Sequence, residues 1–122
     1  MRPILINGMA WGVVRLAPSD PRLVDREGRL TVGTTDPATR TIHISSELVP
    51  PMLDRVLLHE VTHAITMSYN HLRGLARMIE GGDRIGVEEW AAQLVENHGI
   101  EAAVLASEIL GRPICVRGYC ND

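Results

Sequence analysis

Two rhythms of apolar residues divide the chain near residue 50. Before it, apolar positions come in short runs broken by turn residues; after it, they recur at helical spacing. Residues 3–7 (Pro-Ile-Leu-Ile-Asn) and 11–16 (Trp-Gly-Val-Val-Arg-Leu) predict two short strands around Asn7-Gly8. Residues 18–21 and 25–28 read as loops. Residues 30–34 predict a third strand, followed by the turn Asp36-Pro37-Ala38-Thr39, where Pro fixes φ after an Asp that bonds the backbone. Residues 40–45 then alternate, with Ile42 and Ile44 on one face and Thr41, His43 and Ser45 on the other, as the second strand of a hairpin.

From residue 51 to 68 the apolar side chains Met52, Leu53, Val56, Leu57, Leu58, Val61, Ala64, Ile65 and Met67 cover most of a helical wheel. Such a helix is buried and central, and Pro50-Pro51 suits its start. A second helix is predicted over 70–80, ended by Gly81-Gly82-Asp83. A third begins near Gly86 or Val87, pauses at Asn97-His98-Gly99, and resumes to Leu110 before Gly111 and Pro113.

The length of 122 residues fits one domain spanning residues 1–122. There is no Phe, and only two Trp and two Tyr, so the core must be built from aliphatic side chains. A net charge of −3 gives no electrostatic footprint for nucleic acid. No apolar run approaches the roughly 18 residues of a membrane span. The first 14 residues read as strand and turn rather than as a signal peptide, so a cytoplasmic location and no membrane partner are the expectations. Cys115 and Cys120, with four residues between them, could close a small disulfide loop or bind metal; in a reducing compartment free thiols are the expectation, and two thiols alone do not complete a structural zinc site.

One motif carries chemistry: His59-Glu60-Val61-Thr62-His63. On a helix, residues four apart lie about 40° apart and one turn along the axis. Two imidazoles so placed converge on one Zn²⁺ ion, with Glu60 beside it as a carboxylate able to take a proton from water. The motif falls on the least apolar strip of the predicted helix, among Arg55, Thr62 and Thr66. The plainer reading, two histidines on a solvated stripe, has only chance in its favour.

Catalytic zinc usually has a third protein ligand. The downstream candidates are His71, Glu80, Glu88, Glu89, Glu96 and His98. A metzincin pattern would need His where Tyr69 stands. In the third helix, Glu88 lies about 60° from the centre of the apolar face and Glu89 about 160° from it. A ligand points inward, so Glu88 is the choice and Glu89 a solvated charge. His98 shares the apolar face and reads as a satisfied core histidine before it reads as a ligand. His43 reads as an exposed strand histidine, with cleft lining as the alternative. Tyr69 and His71 are candidates for hydrogen bonding to an oxyanion.

The stretches Gly33-Thr34-Thr35-Asp36, Ile42-His43-Ile44, Leu57-Leu58-His59-Glu60-Val61-Thr62-His63-Ala64-Ile65 and Glu88-Glu89-Trp90-Ala91-Ala92 resemble small gluzincin-type proteins. They are similar to the minimal peptidase domain of the ImmA/IrrE group and related short phage proteins, over roughly residues 30–96. Glu88-x-x-Ala91-Ala92 fits that group's zinc-binding Glu pattern in phase, although Glu89-x-x-Ala92 also satisfies its first part; Ala92 stands where the group often has Asn or Asp. The resemblance implies an α+β, zincin-like fold, a small twisted sheet packed on the active helix. It also implies that the strand at 40–45 lies along the cleft as an edge able to pair with an extended peptide.

The expected function is therefore zinc-assisted hydrolysis of a peptide or protein substrate, with one Zn²⁺ on His59, His63 and Glu88, and Glu60 as general base. The rival is a zinc-bound zincin fold that binds or regulates without proteolysis. A metal-free helical module is the third reading.

Overall fold

The computed structural model describes residues 1–115. Among these residues four strands and three α-helices, with a 3-10 turn at Pro21–Leu23, follow the predicted order of strands first and helices after, an α+β arrangement. Strand β1 (Ile4–Ile6) turns back into β2 (Met9–Leu16) through Asn7 and Gly8, both at positive φ (50° and 75°). Asn-Gly suits that turn because its twist matches the flanking strands and neither residue pays a large steric penalty there.

Strand β3 (Gly33–Asp36) pairs antiparallel with β4 (Thr41–Ser45), and β4 pairs parallel with β2. The sheet order is β1-β2-β4-β3. This corrects the expectation for residues 40–45: β4 is an interior strand, and β3 forms the edge. The alternation of β4 is consistent with that place, since Ile42 and Ile44 are fully buried on one face while His43 and Ser45 are buried on the other. The predicted strand at 30–34 begins later, at Gly33. Residues 30 and 31 are engaged elsewhere: Leu30 bridges Val24, and Thr31 N donates to Leu23 O.

Helix α1 (Met52–Ser68) lies across the sheet. Its Leu53, Leu57, Val61, Ala64 and Ile65 meet Ile4, Ile6, Trp11, Val13, Ile42 and Ile44 in one apolar cluster. Trp11, the bulkiest core side chain, donates its indole N–H to Ser68 Oγ at 2.8 Å, so its polar atom is satisfied at the end of α1. Helix α2 (Leu72–Glu80) has no buried residue.

Helix α3 (Arg84–Leu110) starts earlier than predicted, because the Asp83 carboxylate accepts the Gly86 N–H and caps its first turn. It also runs without the expected pause: residues 97–99 are helical, and the left-handed glycine stop comes only at Gly111 (φ 72°). Burial in α3 is confined to Ala102, Leu105, Ala106 and Ile109, one stripe that covers α1.

The two helices run antiparallel. Arg112, just past α3, forms a two-pronged ion pair with Asp54 near the start of α1, at 2.7 Å on both oxygens. Asp54 also accepts the Cys115 N–H at 2.6 Å and is 1% exposed, a buried carboxylate that the apolar pattern of the helix did not announce. The guanidinium holds the Asp54 carboxyl below its ordinary value. Cys115 is disulfide-bonded, which corrects the expectation of a free thiol; Cys120 lies outside the described residues. Among the described residues, no helix is long and apolar enough to cross a membrane.

Candidate metal centre

Helix α1 presents His59 and His63 one turn apart, as their spacing dictates. Their Nε2 atoms are 3.2 Å apart, with the rings edge to face at 75°. Two nitrogens held about 2.0–2.1 Å from one tetrahedral ion would be separated by about 3.3 Å. The pair therefore fits a single ion with almost no rearrangement. One carboxylate oxygen of Glu60 joins them, and the three ligand atoms lie within 4.8 Å of one another. This group can hold a metal ion. His59 is exposed, His63 half-buried and Glu60 buried. Burial lowers the His63 pKa below its ordinary value, partly opposed by the charge of Glu60. At neutral pH its imidazole is uncharged and offers a lone pair.

Glu60 owes its position to the edge strand. A side chain at Gly33 would bring its Cβ within 2.9 Å of Val56 Cγ1 and 3.1 Å of Glu60 Cγ. Glycine is what lets β3 lie this close to α1. Two residues on, Thr35 faces the same way, and its hydroxyl reaches both Glu60 O (3.1 Å) and Glu60 Oε1 (3.0 Å). The carboxylate is thus oriented by a donor from the sheet. Gly33 and Thr35 were visible in the sequence only as part of a resemblance; their spacing of two, with one face toward the motif helix, was the signal available.

The group opens on a cavity of about 910 Å³ between α1, the outer edge of β3 and the loop carrying Arg22 and Arg26. His43 lines it too, but is 7% exposed, so the exposed-histidine reading is corrected and the cleft-lining alternative holds. Thr34 Oγ1 donates its one proton to Arg22 O at 2.8 Å. The 3.2 Å bond between that oxygen and His43 Nδ1 must then have the ring as donor. Neutral His43 carries its lone pair on Nε2, and burial holds its pKa below the ordinary value.

The downstream candidates divide. Glu80, Glu88, Glu89 and Glu96 are all exposed, and none joins the clustered ligand atoms of His59, Glu60 and His63. Glu88 and Glu89 lie on the first turns of α3. The antiparallel pairing sets those turns beyond the end of α1, because Glu101 already meets Tyr69 and Trp90 meets His71 there. His98 is satisfied, as expected, by Glu101 and by His71. Tyr69 and His71 stack on one another beside His98, and neither lines the cavity at the motif. Comparison of the chain with protein-family models, with curated proteins and with solved structures finds no match in any of the three.

Proposed function

We propose that this chain is a zinc-dependent peptidase, a zincin-like domain similar to the ImmA/IrrE group, in which His59 and His63 hold the ion and Glu60 moves the proton. The observation that carries this reading is the convergence of two imidazoles and one buried, oriented carboxylate on the wall of a peptide-sized cavity. Imidazole ligands suit zinc and other late first-row metals, and a carboxylate beside the pair is what a zinc-activated water needs. When bound, zinc supplies Lewis-acid chemistry, polarising a carbonyl and making water more acidic.

The chain's own residues supply the rest. Glu60 accepts the proton of the attacking water and returns it to the leaving amine. Thr35 holds that carboxylate in one orientation through the exchange. Strand β3 pairs with β4 on one side only, and its residues line the cavity on the other. An extended peptide can add to this edge through main-chain hydrogen bonds, which would set its scissile bond beside α1.

Glu88, the third ligand that the wheel nominates, is tested separately by zinc analysis of Glu88→Ala beside Glu89→Ala. The central experiment is metal analysis with peptide-library cleavage on the wild type, His63→Ala and Glu60→Gln. The expected result is cleavage by the wild type, loss of the motif's zinc in His63→Ala, and retained zinc without turnover in Glu60→Gln. An untouched library with stoichiometric zinc would instead favour the non-proteolytic binding domain. Equal cleavage by Glu60→Gln would overturn the mechanism.

A further inference from the structure

A second pair of imidazoles meets beyond the C-terminal end of α1. His71, in the turn after α1, and His98, in the middle of α3, are 27 residues apart in sequence, yet their Nε2 atoms are 2.9 Å apart. The rings are tilted at 49° with centroids 5.0 Å apart.

The His98 ring is held from behind, and His71 by its backbone and by stacking. His98 Nδ1 lies 2.9 Å from Glu101 Oε2. A carboxylate accepts, so Nδ1 carries the proton and the Nε2 lone pair points at His71. The His98 side chain is only 12% exposed. His71 is fixed through its backbone: its N–H donates to Thr66 O, and its carbonyl accepts the Trp90 indole N–H at 3.1 Å. Tyr69 stacks on His71 at 10°, packs against His98 with centroids 4.6 Å apart, and donates its hydroxyl to the other Glu101 oxygen at 3.5 Å.

These are the parts of a cation site. Two nitrogens on one tetrahedral ion stand about 3.3 Å apart, so this pair needs to open by only a few tenths of an ångström. A carboxylate on the far nitrogen of a ligating histidine fixes its tautomer and strengthens it as a ligand. We propose that His71 and His98 form a second site for a divalent transition-metal ion of imidazole preference, with Glu101 orienting His98 and water completing the coordination. Zn²⁺, Ni²⁺ and Cu²⁺ are the ions whose chemistry fits. An ion here ties the end of α1 to α3 and acts as a clasp. The site stands independently of any peptidase activity at the motif.

The test uses the full, tag-free chain carrying His59→Ala and His63→Ala, titrated with Zn²⁺ and, for its visible spectrum, with Co²⁺. The expected result is one remaining equivalent of bound ion with a rise in Tm as Zn²⁺ is added. Adding His98→Ala should remove that equivalent, and Glu101→Gln should weaken it about 10- to 100-fold. Absence of binding to the folded double variant, or binding unchanged by His98→Ala, would overturn the site. Nitrogen-resolved NMR of the imidazoles avoids any dependence on the folding of the His98 variant. Loss of the shared ring proton under saturating Zn²⁺ supports the site, and its persistence means an ordinary hydrogen bond and refutes it.

Discussion

His59 and His63 come from one helix and look out on a wide cavity, whereas His71 and His98 come from different elements and are closed in by Tyr69 and Glu101. Both pairs bring their Nε2 atoms to about the same separation, 3.2 Å and 2.9 Å. The difference lies in where the carboxylate stands. Glu60 sits beside the first pair, held by Thr35 within the cluster of ligand atoms, where it can exchange a proton with something bound in the cavity. Glu101 sits behind His98, where it can only orient the ring. The cavity includes His59, Glu60 and His63 but neither His71 nor His98. Under the two proposals, similar nitrogen geometry serves reaction at one pair and holding at the other.

Exchanging the two carboxylates for amides puts the strongest strain on this comparison. Glu60→Gln should lower turnover roughly 10²- to 10⁴-fold, the usual worth of a positioned general base, while zinc at the motif stays. Glu101→Gln should leave turnover unchanged and weaken only the second site. If both variants lose metal and neither selectively loses turnover, the distinction between the pairs fails.

Asp54→Ala asks whether the two pairs depend on one another through the helix they share. Removing the buried partner of Arg112 should cost about 3 kcal/mol in urea unfolding. Zinc affinity at His59 and His63 should not change, since their spacing is set within α1. The Asp54 pKa is depressed in the fold, so its contribution is fully present above the ordinary aspartate value of about 3.9 and is lost as pH falls through the lower folded value. Acid unfolding curves should show that loss in the wild type and not in Asp54→Ala.

Gly33→Ala probes the first pair from the sheet side. The added methyl meets Val56 and Glu60 and should cost about 1–3 kcal/mol of stability. Turnover should fall with it, because Glu60 is pushed out of line, while the second pair keeps its ion affinity. The smallest effect expected is from Glu88→Ala and Glu89→Ala, where zinc content should stay at the wild-type level given the exposure of both residues. Selective zinc loss in Glu88→Ala would mean that the first turns of α3 close on the cleft when metal loads.

Much of this was legible in the chain because it is local. Asn7-Gly8 specifies its own hairpin turn, the alternation around Ile42 and Ile44 specifies a strand, and the i, i+4 spacing specifies the convergence of His59 and His63. The apolar face that the wheel gives α3 is buried at Ala102, Leu105, Ala106 and Ile109, but Ala91 and Val95 on the same face are exposed. What a wheel reports is direction around a helix, and never position along its neighbour. Glu88 shows the consequence: its offset from His59 and His63 is fixed by Asp54 and Arg112 at one end and by Tyr69 and Glu101 at the other. The expected pause at residues 97–99 failed for a related reason, since a glycine ends a helix only where the chain takes a left-handed turn, as it does at Gly111.

By itself, then, the sequence determined the hairpin, the helices and the first histidine pair, all set by interactions within a few residues. The tertiary structure alone decided that β4 lies inside the sheet and β3 at its edge. It decided that Gly33 and Thr35 reach Glu60, and that His71 meets His98. Each of these joins segments that no short period relates, and they meet only once α1 has packed on the sheet and α3 on α1.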